Sequence, residues 1–200
     1  MAAQTVDTTD RDRHKVYPLG AKISDVRSRG TRFRLTVLAP SVDLVVGCAG
    51  GWLFDRAKIG WDVTVAVPEC TDKRPLQILG VQTADLEDAL MGKLHSEMSD
   101  AISVAVDLYQ RDARVRRQVL REITRRQTEV TLWGGEWPTE LDDRVDSVEH
   151  HLSVAARAFK VHALAATATG PGPLSLVETF RIAKKHMSPV GGAPDLVLPS

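Results

Sequence analysis

Two short runs of alternating, β-branched residues predict the first strands of a sheet. They cover residues 33–39 and 61–67, and each ends at a proline. Valine, threonine and aromatic residues favour strands, and proline closes them. Between the runs, apolar residues come thickly over 42–59, which predicts a helix. The adjacent glycines at 50 and 51 leave two alternatives open: either they let a continuous helix pack very closely, or a loop ends there and the helix begins at Trp52.

A short helix over 72–79 and a third strand over 81–86 complete a β-α-β-α-β block. Short crossovers of this kind give parallel strands with right-handed connections. The predicted fold class is therefore α/β, with a Rossmann-like parallel sheet in residues 31–92.

The second half has a different pattern. Apolar residues recur at helical spacing over 96–126 and 139–166, and Ser175 with Glu178 forms a capping-box pattern before a short helix. In this half of the chain, only the pattern of residues 128–133 predicts a further strand. The expected organisation is a flexible N-terminal arm (1–30), a Rossmann-like half (31–92), a mainly helical half packed on it (93–187) and an irregular tail (188–200).

Charge and cysteine content narrow the function classes. The formal net charge is zero, which excludes a globally basic nucleic-acid binder. Cys48 and Cys70 belong to no metal-binding or disulfide pattern, so we interpret both as reduced thiols of a cytoplasmic protein. No apolar stretch approaches the roughly 20 residues of a membrane span.

The segment 39–45 reads Ala-Pro-Ser-Val-Asp-Leu-Val, and a small-residue stretch, a glycine and the strand 61–67 follow it. This succession resembles the opening of the LmbE/PIG-L family of zinc-dependent N-acetylglucosaminyl deacetylases. In that family the motif His and second Asp hold zinc, and the first Asp serves as the base. Here Ser41 and Leu44 fall at the ligand positions, and Asp43 falls at the position of the base. The resemblance implies a degenerate member that lacks these metal ligands, so no metal is expected and the cofactor is unknown.

The same stretch is also similar to the small-residue loop of flavin-dependent cysteine decarboxylases. Backbone N–H groups at a helix N-terminus can hold a phosphate. The candidate ligand-binding residues are Ser41, Asp43, Gly47, Gly50 and Gly51.

An arginine-rich helix offers a different kind of site. At helical spacing, four arginines share one face, and two tryptophans follow on either side of a glycine turn: Arg114, Arg117, Arg121, Arg125, Trp133 and Trp137. The arginines suit internal pairing with the acidic segment 140–149, a protein partner, or nucleic-acid phosphates. The tryptophans suit either a partner surface or a loop stapled to the core.

The missing catalytic motifs favour a non-catalytic, Rossmann-like interaction or regulatory protein that retains a small-ligand cleft. The alternatives are a nucleotide- or flavin-binding enzyme that uses the 39–51 loop, with Asp43 as its catalytic residue, and nucleic-acid binding through 111–126. A protein partner or homo-oligomer is the expected assembly.

Overall fold

The computed structural model describes residues 32–69, 72–92, 99–170 and 174–184. The predictions for the N-terminal arm, the tail after 188 and Cys70 therefore lie outside the described residues. Within the described residues, no helix is long and apolar enough to cross a membrane.

Seven strands form one mixed sheet with the order β3-β2-β1-β4-β5-β7-β6. Neighbouring strands from β3 to β5 are parallel, and β7 runs antiparallel to both β5 and β6. The strands are β1 Arg34–Leu38, β2 Asp62–Val67, β3 Gln82–Asp85, β4 Ala101–Ala105, β5 Glu129–Trp133, β6 Val145–His151 and β7 Val177–Ala183.

Six α-helices and one 3₁₀ helix are described between these strands. The helices are α1 Val42–Lys58, α2 Arg74–Ile78, α3 Leu86–Leu90, α4 Val106–Arg111, α5 Ala113–Arg125 and α6 Val154–Ala165, with the 3₁₀ helix at Thr139–Arg144. The α/β fold class is confirmed. Strands β1 to β3 and the helices between them lie where the sequence predicts them, within a few residues.

The mainly helical second half is not confirmed, because four strands lie within 93–187. All five residues of β4 are buried between layers, so the strand has no alternation and its apolar residues resemble a helical pattern. The pattern of β6 also predicted the wrong element. Val145 and Val148 are three residues apart, as on one face of a helix, but in the strand they lie on opposite faces. The predicted helix after Ser175 is β7.

Helix α1 lies between the sheet and α6, which explains why it is apolar on nearly every side. Residues 49–54 are all buried, and α6 packs along the helix. The helix runs unbroken through both central glycines, so the first of the two alternatives for them is correct. A Cβ on Gly51 would overlap the side chain of Leu152, which comes directly before α6. Glycine is therefore required here for the close packing of Leu152 on α1.

A half-buried carboxylate, that of Asp55, ties the far end of α1 to the start of α6. Asp55 Oδ2 lies 2.9 Å from Nε2 of His150, and Oδ1 accepts the Ser153 hydroxyl at 2.6 Å. Ser153 caps α6 by accepting the Ala156 N–H at 3.0 Å. Both Ser153 and His150 contact the carboxylate, whereas a nucleophilic triad has the imidazole between the other two groups. We conclude that this network is a structural joint.

The two glycines of α1 provide a matched test of the packing. Gly51→Ala should lower the free energy of unfolding by about 2 to 3 kcal/mol, because the new methyl group overlaps Leu152. Gly47→Ala meets no atom within 4 Å and should raise it by up to about 1 kcal/mol through helix propensity. Denaturant unfolding measures both. Equal effects of the two substitutions would contradict the close packing of Leu152 on α1.

Acid should weaken the joint at Asp55. Burial raises the pKa of Asp55, but the hydrogen bonds from His150 and Ser153 outweigh burial, so the pKa lies below the ordinary value of 3.8. The folded state then binds the proton less readily than the unfolded chain. The resulting stability is fully present above about pH 4 and is lost as the pH falls through the lower, folded-state pKa.

Unfolding free energies between pH 6 and 2 check this expectation. The wild-type chain should lose stability more steeply below pH 4 than Asp55→Asn, which has no carboxyl proton to bind. Parallel pH profiles would refute a role for the Asp55 carboxylate.

Candidate functional site

The carboxyl ends of β1, β4 and β5 meet at one edge of the sheet, and the start of α1 lies there. Ser41 caps α1, and its hydroxyl accepts the Leu44 N–H at 3.3 Å. Asp43 lies in the first turn, half-buried, and its Oδ2 accepts the backbone N–H of Thr169 at 3.1 Å. Open α/β sheets bind ligands at this edge. Ser41 and Asp43, the sequence-predicted pair, thus lie where a substrate is expected.

A glycine turn after β5 lies at the same edge of the sheet. Gly134 and Gly135 have φ angles of 69° and 65°, which favour glycine. A Cβ on Gly135 would overlap the carboxylate of Asp107, at the start of α4, and one on Gly134 would lie 3.7 Å from Cys48 Sγ. The turn therefore fits against both α1 and α4. Burial raises the pKa of the Cys48 thiol, with smaller opposing and reinforcing effects from Lys160 and nearby carboxylates.

Tyr109 and Glu140 form a second polar pair beyond this turn. The buried Tyr109 hydroxyl donates to Glu140 Oε1 at 2.6 Å. Burial, followed by the hydrogen bond to the carboxylate, raises the pKa of the Tyr109 phenol. The hydroxyl thus stays protonated and fixes the 3₁₀ helix to α4. No local pattern indicates this pair, because the two residues are 31 positions apart in the chain.

The glycines at 47, 50 and 51 lie inside α1 and not in a loop. A phosphate cradle needs backbone N–H groups that point at the ligand. The N–H of Gly51 instead donates to Glu178 Oε1 at 2.8 Å, deep in the core. The structure therefore separates these three residues from Ser41 and Asp43, with which the sequence grouped them.

A buried ion pair between α6 and β7 binds backbone groups in the middle of α1. Lys160 Nζ lies 2.6 Å from Glu178 Oε1, and both side chains are 1% exposed. Lys160 also donates to the Gly47 carbonyl at 2.8 Å, while Glu178 Oε2 accepts the Trp52 N–H at 2.7 Å. We call this arrangement the Lys160–Glu178 clamp. Burial raises the pKa of Glu178 above its ordinary value, although Lys160 and the two N–H groups oppose the shift.

The arginine face is exposed, and its ion pairs differ from the pairing with segment 140–149. Arg114 binds Glu87 of α3 and Asp112 at 2.7 and 2.8 Å, and not the acidic segment 140–149. Arg117, Arg121 and Arg125 are exposed on the same helix.

The two tryptophans differ from each other. Trp133 is 2% exposed and its Nε1 donates to Ser103 Oγ at 2.8 Å, so its assignment to an interaction surface was wrong and it belongs to the core. Trp137 is half-buried, donates to Asp142 at 2.8 Å, and lies under the guanidinium of Arg181, 5.3 Å from the ring centre. Both therefore staple the turn after β5 to the rest of the fold.

No three His, Cys, Asp or Glu side chains come together in a group that could hold a metal ion, within the part of the chain that the structure describes. Zinc in proteins is held by about three or four such ligands. At the resemblance's two ligand positions the chain presents an exposed hydroxyl, that of Ser41, and the alkyl side chain of Leu44.

No family model and no curated protein match the chain. Among solved structures, it is similar to a triple mutant of a deacetylase of the teicoplanin biosynthetic pathway, with a TM-score of 0.53 and 12% identity over 76% of this chain and 98% of that one. It is also similar to the A40926 pseudoaglycone deacetylase, with a TM-score of 0.52 and 14% identity over 79% of this chain and 100% of that one. At such identities the likeness shows the fold alone.

These neighbours correct the predicted function. They are deacetylases, so the prediction of a non-catalytic interaction or regulatory protein is overturned, and neither of its two alternatives is favoured. The resemblance noted at 39–67 is supported at the level of the fold. The chain shares the fold of these deacetylases.

Proposed function

We propose that this protein is a hydrolase that removes an acyl group from the nitrogen of an amine, with its reaction centre at the carboxyl edge of the sheet. The observation that carries the proposal is the structural likeness, which spans 98% and 100% of the two deacetylase chains. The position of Asp43 supports it, since the only acidic residue of the first turn of α1 lies at this edge. N-acylated amino sugars are the proposed substrate class.

Asp43 is the proposed general base. Its Oδ2 is occupied by the Thr169 N–H, and among the described residues no hydrogen bond reaches Oδ1. Oδ1 can therefore accept a proton from a water molecule as that water attacks the acyl carbon. The carboxyl group then returns the proton to the departing nitrogen, so amide and water give carboxylic acid and amine. A positioned base of this kind contributes about 10²- to 10⁴-fold to the rate.

The N-terminus of α1 is the proposed electrophilic element. The first N–H groups of a helix have no partner within the helix, and the positive end of its dipole favours negative charge. Ser41 already satisfies the N–H of Leu44, which leaves those of Val42 and Asp43 directed toward the edge. They are suited to the oxygen that becomes negative during attack.

Zinc does not fit the residues at the start of α1. A hydroxyl at Ser41 and an alkyl group at Leu44 offer one weak ligand where the resemblance calls for two strong ones. No step of the proposed reaction is therefore assigned to a metal, and the loss of the metal ligands is part of the proposal.

Two finer points belong to the same proposal. The order β3-β2-β1-β4-β5, all parallel, supports a Rossmann-like unit as the scaffold of the site. A cytoplasmic location stays a prediction that rests on the interpretation of Cys48 and Cys70 as reduced thiols.

Release of primary amine tests the proposed function. The purified full chain is incubated with N-acetylglucosamine and with N-octanoylglucosamine, and the amine is quantified with fluorescamine. We expect turnover of at least one substrate, and Asp43→Asn should lower kcat by about 100-fold or more, because the amide cannot accept the proton. Asp146→Asn is the matched control, since Asp146 is exposed on β6, and it should leave kcat within about twofold.

No amine release from either substrate, or equal rates for Asp43→Asn and wild type, would overturn the proposal.

The same assay after dialysis against a chelator tests the loss of the metal site separately from the hydrolase activity. The rate should stay within about twofold, because the site offers no adequate ligand set. A rate that falls with chelation and returns with zinc would refute the loss of the metal site but not the hydrolase.

A further inference from the structure

Helix α6 presents an apolar surface on its outward side. Val154 is 82% exposed and Val161 47%, whereas Phe159, which is 44% exposed, stacks on Phe54 of α1. The opposite side of the helix already packs on α1 and α2. The exposed positions of α6 carry neither acidic nor fixed basic side chains: they are Val154, Ala155, Ala158, Phe159, Val161, His162 and Ala165.

Such a face is unusual for an outer helix. A surface helix normally buries one apolar stripe and shows charged residues to water, and a helix that is apolar on all sides is usually buried on all sides. Helix α5 of the same chain follows the rule, with Arg114, Arg117, Arg121 and Arg125 on its outward face. The two helices therefore differ in what they present to water: α5 presents charge, and α6 presents an apolar face.

We propose that a second copy of this chain covers it, with the two α6 helices packed antiparallel about a twofold axis. Val154, Ala158, Val161 and Ala165 follow one another at spacings of four, three and four, so they form one stripe. In an antiparallel pair centred between 159 and 160, Val154 of one copy faces Ala165 of the other. Ala158 likewise faces Val161, so every valine meets an alanine.

The stripe is thus complementary to itself in the antiparallel direction, as a twofold interface requires. A parallel pair would place valine against valine. The alanines let the two helix axes approach closely, and with no fixed charge on the stripe and a formal net charge of zero, two copies do not repel each other. A helix of 12 residues is about 18 Å long.

The expected dimer is weak. A face of this length buries less than the roughly 800 Å² per partner of a standard stable interface. The dimer should therefore dissociate on dilution into the micromolar range. Self-association of this kind does not depend on the proposed hydrolysis, so each of the two proposals is tested separately.

Sedimentation velocity of the full chain from about 1 to 500 µM tests the dimer. Wild type should shift from monomer to dimer, and Ala158→Glu, which introduces a charge near the centre of the stripe, should raise the dissociation constant at least tenfold. Ala113→Glu introduces the same charge at an exposed position of α5 and should leave the dissociation constant unchanged. A monomer at every concentration, or a dimer that Ala158→Glu does not weaken, would overturn the proposal.

Cross-linking gives a second measurement that does not depend on a destabilising charge. A mixture of Ala158→Cys and Val161→Cys chains, oxidised at high concentration, should form the mixed disulfide faster than either chain alone forms its own, because these two positions face each other. Equal rates, or no link between the helices, would contradict the antiparallel register.

Discussion

The Lys160–Glu178 clamp is the interaction on which the arrangement of the layers depends. An ammonium from α6 and a carboxylate from β7 meet inside the protein and bind backbone groups in the middle of α1. Removing two charges from water costs several kcal/mol per ion, and only good geometry with further hydrogen bonds offsets that cost. Here the two Glu178 oxygens accept from Lys160 and from two backbone N–H groups, and Lys160 also donates to a carbonyl. The clamp therefore fixes the position of α1 along its axis and relative to both layers.

Several other features follow from that position. The first turn of α1 carries Ser41 and Asp43 to the carboxyl edge of the sheet, and its last turns carry Asp55 to the joint with His150. Gly51 leaves room for Leu152 just before α6, and Gly50 lies next to Lys160, whose ammonium reaches the Gly47 carbonyl. The inner side of α6 packs on α1, so its apolar outer face is available to another partner. Site, core and proposed dimer surface are thus linked through one helix.

The sequence predicted the elements whose pattern is local. The alternating strands β1 and β2 and the apolar helix between them were found within a few residues of their true bounds. The second half was not, because β4 is buried along its whole length and β6 lies at the edge of the sheet. Neither gives the alternation of a strand with one wet and one dry face. The clamp could not be predicted, since its lysine and glutamate are 18 residues apart from each other and more than 100 from Gly47 and Gly51. For the site, the 39–45 motif located Ser41 and Asp43, but it could not show that Gly47, Gly50 and Gly51 lie within a helix.

A double-mutant cycle on the clamp tests this account most directly. The unfolding free energies of wild type, Lys160→Met, Glu178→Gln and the double variant give the coupling between the two side chains. We predict that each single substitution costs about 3 to 5 kcal/mol, since it leaves a buried polar group without its partner, and that the double variant costs at least about 2 kcal/mol less than the sum. Single costs below about 1 kcal/mol that simply add would contradict the claim that this ion pair holds α1 in place.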